Sequence, residues 1–485
     1  MSVSWLFIPA ALFACLLLGL QRKAEPSPPG PRGLPFLGSA LDLPTKFVFR
    51  KFDEWSKLYD GWFTLSAAGQ KFLVITRADV AVDILDKMSV QTSDRPALPM
   101  VRYMLRRMSF PFDNYNDRWR RCRRLAHENF NIQALDNYRT LYEHATAKLL
   151  RRLPDVDPMQ LREELTQFSG ALAYEALYGR DAGGVNQRRN IHRVWKLLEV
   201  LGDAASPATF LINLMPSLDI LPESLSPWKQ FGTRYFNEND KFFMEMAQPG
   251  LTGQSDSGFV ASCARMRDRT DGISDAEIAW TSFSLYGAGV ETTPYTLHWF
   301  VMAMVLFPEV YQRAQGEVST VAGNRPPTFE HRSKLPYLVA VMKETLRWRP
   351  VLPAGLPHTA SEDFLYKQFR IRKGTYVFAN QWSMCRDPAV YPDFELFKPE
   401  RFLADPPPPD PPVFGFGRRI CPGRNFAQEV LFLAMANLLW AFHFEKATEP
   451  DGKVIIPSPD SIDGNILLRP QPFPFVITPR QEIPN

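Results

Sequence analysis

The 485-residue sequence predicts a mainly α-helical protein with small β-sheets, preceded by an N-terminal transmembrane anchor. Three observations point there. Apolar residues recur at helical spacing from 132 to about 243, from 274 onward and over 426–442. Only short stretches, notably 61–66 and 71–76, alternate with the two-residue period of a strand. Residues 3–20 are almost entirely apolar.

Composition narrows the class. With 45% hydrophobic and 22% charged residues, the chain can bury a large core. A net charge of only +4 argues against dedicated nucleic-acid binding. The five cysteines are odd in number and widely spaced, which suits a reducing compartment and not a disulfide framework. Length alone would suggest about two to four domains. No composition break follows residue 35, however, so 36–485 reads as one catalytic domain.

Taken in order, the apolar run 3–20 sits near the lower limit of about 18 residues for a bilayer span. Arg22 and Lys23 follow it, whereas a secretory signal carries its positive charge in front. These residues and Arg32 favour a cytoplasmic location for everything downstream. Residues 1–21 are thus expected to form a signal-anchor, with a cleaved signal peptide as the alternative. Residues 22–35, with Pro26, Pro28, Pro29, Pro31 and Pro35, form a stiff hinge.

The strands 61–66 and 71–76 pair across a turn at 67–70. Residues 94–112 look irregular, with Met100, Met104, Phe110 and Phe112 forming either an adaptable apolar wall over a ligand or ordinary core. A helix opens near Trp119, and Arg123, four residues on, shares its face. Arg118, Arg120, Arg121 and Arg124 are either a solvated face or a cationic docking surface. The proline-marked stretch 213–228 is an apolar loop, suited to a membrane surface, a ligand entrance or simple packing.

Ser274 and Glu277 form a capping box for the longest helix. Within it, Ala288-Gly289-Val290-Glu291-Thr292-Thr293 is poorly chosen for packing alone, since glycine weakens a helix. The stretch makes sense if the helix opens locally and presents a carboxyl and a hydroxyl. Pro294 removes the donor to the Val290 carbonyl and should add to the distortion. Glu344 and Arg347 share a helix face, as surface pairs often do. An apolar stretch, 350–357, ends at His358, and 405–412 is dense in proline.

Near the end lies Phe414-Gly415-Phe416-Gly417-Arg418-Arg419-Ile420-Cys421-Pro422-Gly423. Glycines permit tight turns and close backbone approach. Arginines before the thiol favour its thiolate, and the apolar helix 426–442 would point its N-terminus at that charge. A single thiolate with no nearby Cys or His partner makes a poor zinc site. A flat macrocycle supplies four ligands and leaves an axial position for one thiolate. The alternative is a glycine-rich turn around an ordinary buried cysteine.

These motifs stand in the order, and the Phe-x-x-Gly-x-Arg-x-Cys-x-Gly loop in the form, of the cytochrome P-450 family, which the chain resembles from 28 to 480. The resemblance implies that fold and haem b (iron protoporphyrin IX), with Cys421 as the iron ligand. It implies that Trp119 and Arg123 hold a haem propionate, with His358, Arg419, Phe414 and Gly423 as further cofactor contacts. Glu291 and Thr292 would deliver protons, and Glu344, Arg347 and the Arg401 of Pro399-Glu400-Arg401-Phe402 would form a buried network. It further implies a monooxygenase acting with O2 on an apolar small molecule, with electrons from NADPH-cytochrome P-450 reductase. The location implied is the endoplasmic reticulum membrane, with the catalytic domain facing the cytosol. The contexts at 94–96 and 385–388 resemble fungal secondary-metabolite enzymes of the O-methylsterigmatocystin oxidoreductase type. Pro294 and the short 405–412 segment depart from the family pattern. Rival functions are a reductase-independent haem-thiolate isomerase or dehydratase, and a non-catalytic haem sensor.

Overall fold

The computed structural model describes residues 28–480, apart from 36, 180–186, 206–209, 268–271, 461 and 465. The anchor expected at 1–21 and residues 22–27 of the hinge lie outside the described residues. Among the described residues, no helix is long and apolar enough to cross a membrane.

The fold is mainly helical, with small sheets at its edges. β1 (Trp62–Ala67) and β2 (Gln70–Ile75) pair antiparallel, each one residue away from its expected bounds. The turn is tighter than expected because Ala68 and Gly69 both take positive φ, which matches the twist of a two-residue hairpin. β3 (His358–Thr359) and β4 (Tyr376–Ala379) complete the sheet in the order β1-β2-β4-β3, with β2 and β4 parallel. His358 is carried inward on this edge.

Six helices frame the site: α1 (Asp117–Phe130), α2 (Leu161–Tyr178), α3 (Gln187–Ala205), α4 (Asp275–Leu306), α5 (Pro336–Trp348) and α6 (Arg424–Ala441). α4 is the axis of the molecule. The Ser274 hydroxyl accepts from the Glu277 N–H while the Glu277 carboxylate accepts from the Ser274 N–H, completing the capping box. Ile278 to Val290 of α4 pack in one apolar core with α1 and α3. Tyr295 to Val305 pack in a second core with α5 and α6. The Gly289–Thr293 motif falls at the junction. The expected local opening is absent: α4 runs as unbroken α-helix through Gly289 and Pro294. Ser169 of α2 donates to the Gly289 carbonyl at 2.7 Å.

Two other expectations change. Residues 94–112 are not irregular throughout: Pro99–Leu105 is a helix, with Met100 and Met104 wholly buried as core. Proline at its first position fixes φ and needs no donor there, which allows the helix to start. The 213–228 loop contains the helical turns Pro216–Ile220 and Glu223–Leu225, with Ile220 and Leu225 facing solvent.

The Glu344–Arg347 pair is no surface bridge. Both side chains are fully buried, and Arg347 donates to both carboxylate oxygens at 2.7 and 2.8 Å. Arg401 adds a contact at 3.2 Å, and the Lys398 N–H donates at 2.8 Å. Arg347 also reaches the carbonyls of Cys385 and Leu396. This knot ties α5 to the segment that leads into the Cys421 loop.

Candidate active site

The Cys421 loop folds back on itself. The Cys421 N–H donates to the Phe414 carbonyl at 2.8 Å, closing the turn, and α6 starts just beyond Gly423. Gly417 has φ +55°, and a Cβ there would lie 2.0 Å from the Leu85 carbonyl oxygen, so only glycine fits. Its N–H donates to Asp86, locking the loop to the segment Val82–Lys87. Cys421 is enclosed by protein yet keeps accessible surface, so it faces an internal space.

Burial pushes the Cys421 thiol up, while the Gly423 N–H and the charges of Arg123 and Arg424 hold it down. The preceding arginines do not do this, contrary to expectation. Arg418 turns outward to Ser89 and Tyr115, and Arg419 donates to the carbonyls of Ser93 and Asp113. The loop's turn carries both side chains away from the sulfur. Arg123 reaches the loop by donating to the Ile420 carbonyl at 2.6 Å.

A second feature lies on the far side of Arg419. Its guanidinium stacks 4.4 Å from the Trp119 ring centroid, and Phe110 stacks on the same indole. Arg95, given no cofactor role from the 94–96 context, is buried beside it and donates to the carbonyls of Pro111, Leu356 and Pro357. His358 donates from Nδ1 to the Thr92 carbonyl at 2.7 Å. Burial, then the Arg95 and Arg419 charges, force its basicity well down. Burial and Arg95 likewise press Arg419 down to about 8, and burial brings Arg95 to about 10.

The cluster is incomplete in one specific way. Trp119 Nε1 and one terminal nitrogen of Arg419 are buried donors without acceptors. Of the nearby acids, Asp94 accepts from the Tyr115 N–H at 2.9 Å, and Asp113 turns its Oδ2 to Arg118 at 2.7 Å while its Oδ1 stays buried without a donor. Buried donors left unpaired are costly, and crowded cations call for an anion. Two carboxylates on a flat, apolar ring would supply it. The residues present therefore fit the propionate edge of a haem, and Cys421 would hold its iron. The 94–96 context drew attention to Arg95 only as a mark of subfamily; its place in the cluster shows in its burial beside Arg419.

Glu291 and Thr292 form a separate cluster on α4. Ala288, Gly289, Glu291 and Thr292 keep accessible surface in a helix that is otherwise mostly buried, which marks an internal space beside them. The Thr292 hydroxyl donates to the Ala288 carbonyl at 2.9 Å. Burial raises the Glu291 carboxyl to about 7, against the opposing pull of Arg469.

The cationic face of α1 is smaller than the sequence suggests. Arg118 pairs with Asp113, Arg121 with Glu277 and the exposed Arg120 with Asp117, while Arg124 faces solvent.

The family model described as Cytochrome P-450 matches residues 28–475. The chain belongs to the cytochrome P-450 family. It is 36% identical over 477 residues to cytochrome P-450 monooxygenase 58 of Postia placenta, covering 95% of this chain and 90% of that one. It is 34% identical to cytochrome P-450 monooxygenase claR of Ampulloclitocybe clavipes, covering 93% and 86%. A zebra fish cytochrome P-450 structure with abiraterone shares the fold, with a TM-score of 0.75 at 23% identity, covering 91% of this chain and 100% of that one. This cytochrome P-450 is accordingly a monooxygenase that carries haem b. It uses O2, a substrate and electrons from a reductase partner.

Proposed function

We propose that this cytochrome P-450 inserts one oxygen atom from O2 into an apolar secondary metabolite, such as a terpenoid, polyketide or aromatic compound. Electrons come from NADPH through NADPH-cytochrome P-450 reductase. The enzyme is of the O-methylsterigmatocystin oxidoreductase type. Residues 1–21 anchor it in the endoplasmic reticulum membrane, 22–35 are the hinge, and 36–485 form the catalytic domain facing the cytosol. The exposed Ile220 and Leu225 support a further contact with the bilayer.

When bound, the haem supplies the activation of dioxygen. Cys421 holds the iron. Trp119, Arg123, Arg419, His358 and Arg95 would hold the propionate edge, while Phe414 and Gly423 shape the loop around the sulfur. The Thr292 hydroxyl gives its proton to the Ala288 carbonyl, so its oxygen accepts from a water held at the α4 face. Glu291 recharges it, since a carboxyl near neutral takes and releases protons with equal ease.

The observation that carries this reading is the part-accessible Glu291–Thr292 pair at the junction of the two cores. It disfavours the isomerase alternative, which needs no proton delivery from the enzyme. The test is to measure NADPH consumed, hydrogen peroxide formed and product formed with the reductase present. Thr292→Ala should keep substrate binding but divert turnover to peroxide, with product falling roughly 30- to 150-fold for a loss of about 2–3 kcal/mol. Unchanged coupling would refute the Thr292 role. Product formed without NADPH would favour the isomerase, and no product with any library substrate would favour the sensor.

A further inference from the structure

Glu291 has a partner four residues along its own helix. The Tyr295 hydroxyl points at Glu291 Oε1 at 3.5 Å and accepts from Arg469 at 2.9 Å. Arg469 stands on a hairpin made of β5 (Ile462–Asp463) and β6 (Arg469–Pro470), 174 residues from the tyrosine. Its guanidinium lies 5.5 Å from the Tyr295 ring centroid.

The hairpin is pinned where it matters. The N–H of Leu468, adjacent to Arg469, donates to the Val351 carbonyl at 2.7 Å, and its carbonyl accepts from Trp299 Nε1 of α4 at 3.2 Å. α3 covers the other side. Leu198 lies so close to Gly287 that a Cβ there would come within 3.0 Å of it. From the same helix, Trp195 faces the Tyr295 hydroxyl and Glu199 faces Glu291.

We propose that Tyr295 and Arg469 are positioning residues for Glu291: the hairpin guanidinium, acting through the tyrosine hydroxyl, orients the carboxyl and stabilises its charged form. This rests on the reading of Glu291 as the acid that recharges Thr292. A guanidinium does not give up its proton, so Arg469 acts by charge and orientation alone. A hydroxyl that accepts from a cation becomes a better donor to the carboxylate beyond it.

The balance on Glu291 is set by burial and by three groups on three elements. Burial raises its pKa; Arg469 and Tyr295 draw it down, and Glu199 pushes it up. Removing Arg469 or the tyrosine hydroxyl tips that balance toward the neutral acid, which holds its proton at pH 7.

The experiment uses the haem-loaded full chain. The carboxyl infrared band that disappears in Glu291→Gln is titrated against pH, and product per NADPH is measured over the same range. Tyr295→Phe and Arg469→Gln should each raise the band's midpoint by about one unit or more and shift the coupling profile upward with it. Arg469→Lys, which retains the charge, should restore most of the wild-type midpoint. Haem spectra check that each variant is folded. Unchanged midpoints in Tyr295→Phe and Arg469→Gln overturn the proposal, and failure of Arg469→Lys to restore it overturns the charge-based role. If Glu291→Gln itself leaves coupling intact, the proton-delivery reading falls instead.

Discussion

Two clusters bury several charged side chains each, and they differ in how those charges are satisfied. In the Glu344–Arg347–Arg401 knot, one carboxylate receives two guanidiniums and a backbone N–H, and the remaining guanidinium hydrogens meet carbonyls. In the Arg95–Arg419–His358–Trp119 cluster, three basic groups crowd together and two donors find nothing. The first is finished by the chain itself. The second is finished only by a group carrying its own anions. Buried charge with internal partners marks a structural joint, whereas buried charge without them marks a binding site.

The largest expected effect comes from breaking the finished cluster. Glu344→Ala leaves Arg347 fully buried with no anion, so about 3–5 kcal/mol of stability should be lost. Chemical denaturation, or the absence of any soluble haem-loaded protein, would show it. A near-normal midpoint would mean that the carbonyls alone satisfy Arg347.

Glu291 lies between the two cases, a buried acid with one cation at a distance. Its carboxyl is raised from 4.5 to about 7, so the folded state binds its proton more tightly than the unfolded chain does. That stabilising contribution is full below about pH 4.5 and is lost as pH rises to about 7. Glu291→Gln should therefore gain stability over wild type as pH climbs through this window, by at most about 3 kcal/mol. Unfolding midpoints of both proteins measured from acid to neutral pH test the sign. A difference that shrinks as pH rises would contradict it.

The smallest effect sharpens the contrast. Trp119→Phe removes an unpaired indole N–H while keeping the stack on Phe110. The haem-free protein should lose little stability. Haem should dissociate roughly 2- to 10-fold faster, the equivalent of a hydrogen bond worth about 0.5–1.5 kcal/mol. Equal haem release from both proteins would remove Trp119 from the cofactor's contacts.

The capping box, the β1–β2 hairpin and the Cys421 turn were legible because each is made by residues close in sequence. The tight Phe414–Gly423 turn closes with one backbone bond. Local patterns failed where a side chain has two directions to choose from. Nothing near Arg418 and Arg419 says that they turn away from the sulfur, toward Tyr115 and Asp113. Met100 and Met104 read equally well as a ligand wall or as core, and the packing of Pro227–Leu251 and α4 around them decided for core.

By itself, then, the sequence determined the helical architecture, the thiolate loop and the acid–hydroxyl pair, since helical period, turn residues and short motifs act over a few residues. Only the tertiary structure decided which charges are paired. Arg347 meets the Cys385 carbonyl, Arg95 the Leu356 carbonyl and Arg469 the Tyr295 hydroxyl, each across dozens to hundreds of residues. The strength of a buried charge depends on what surrounds it in space, and that is settled when distant segments pack together.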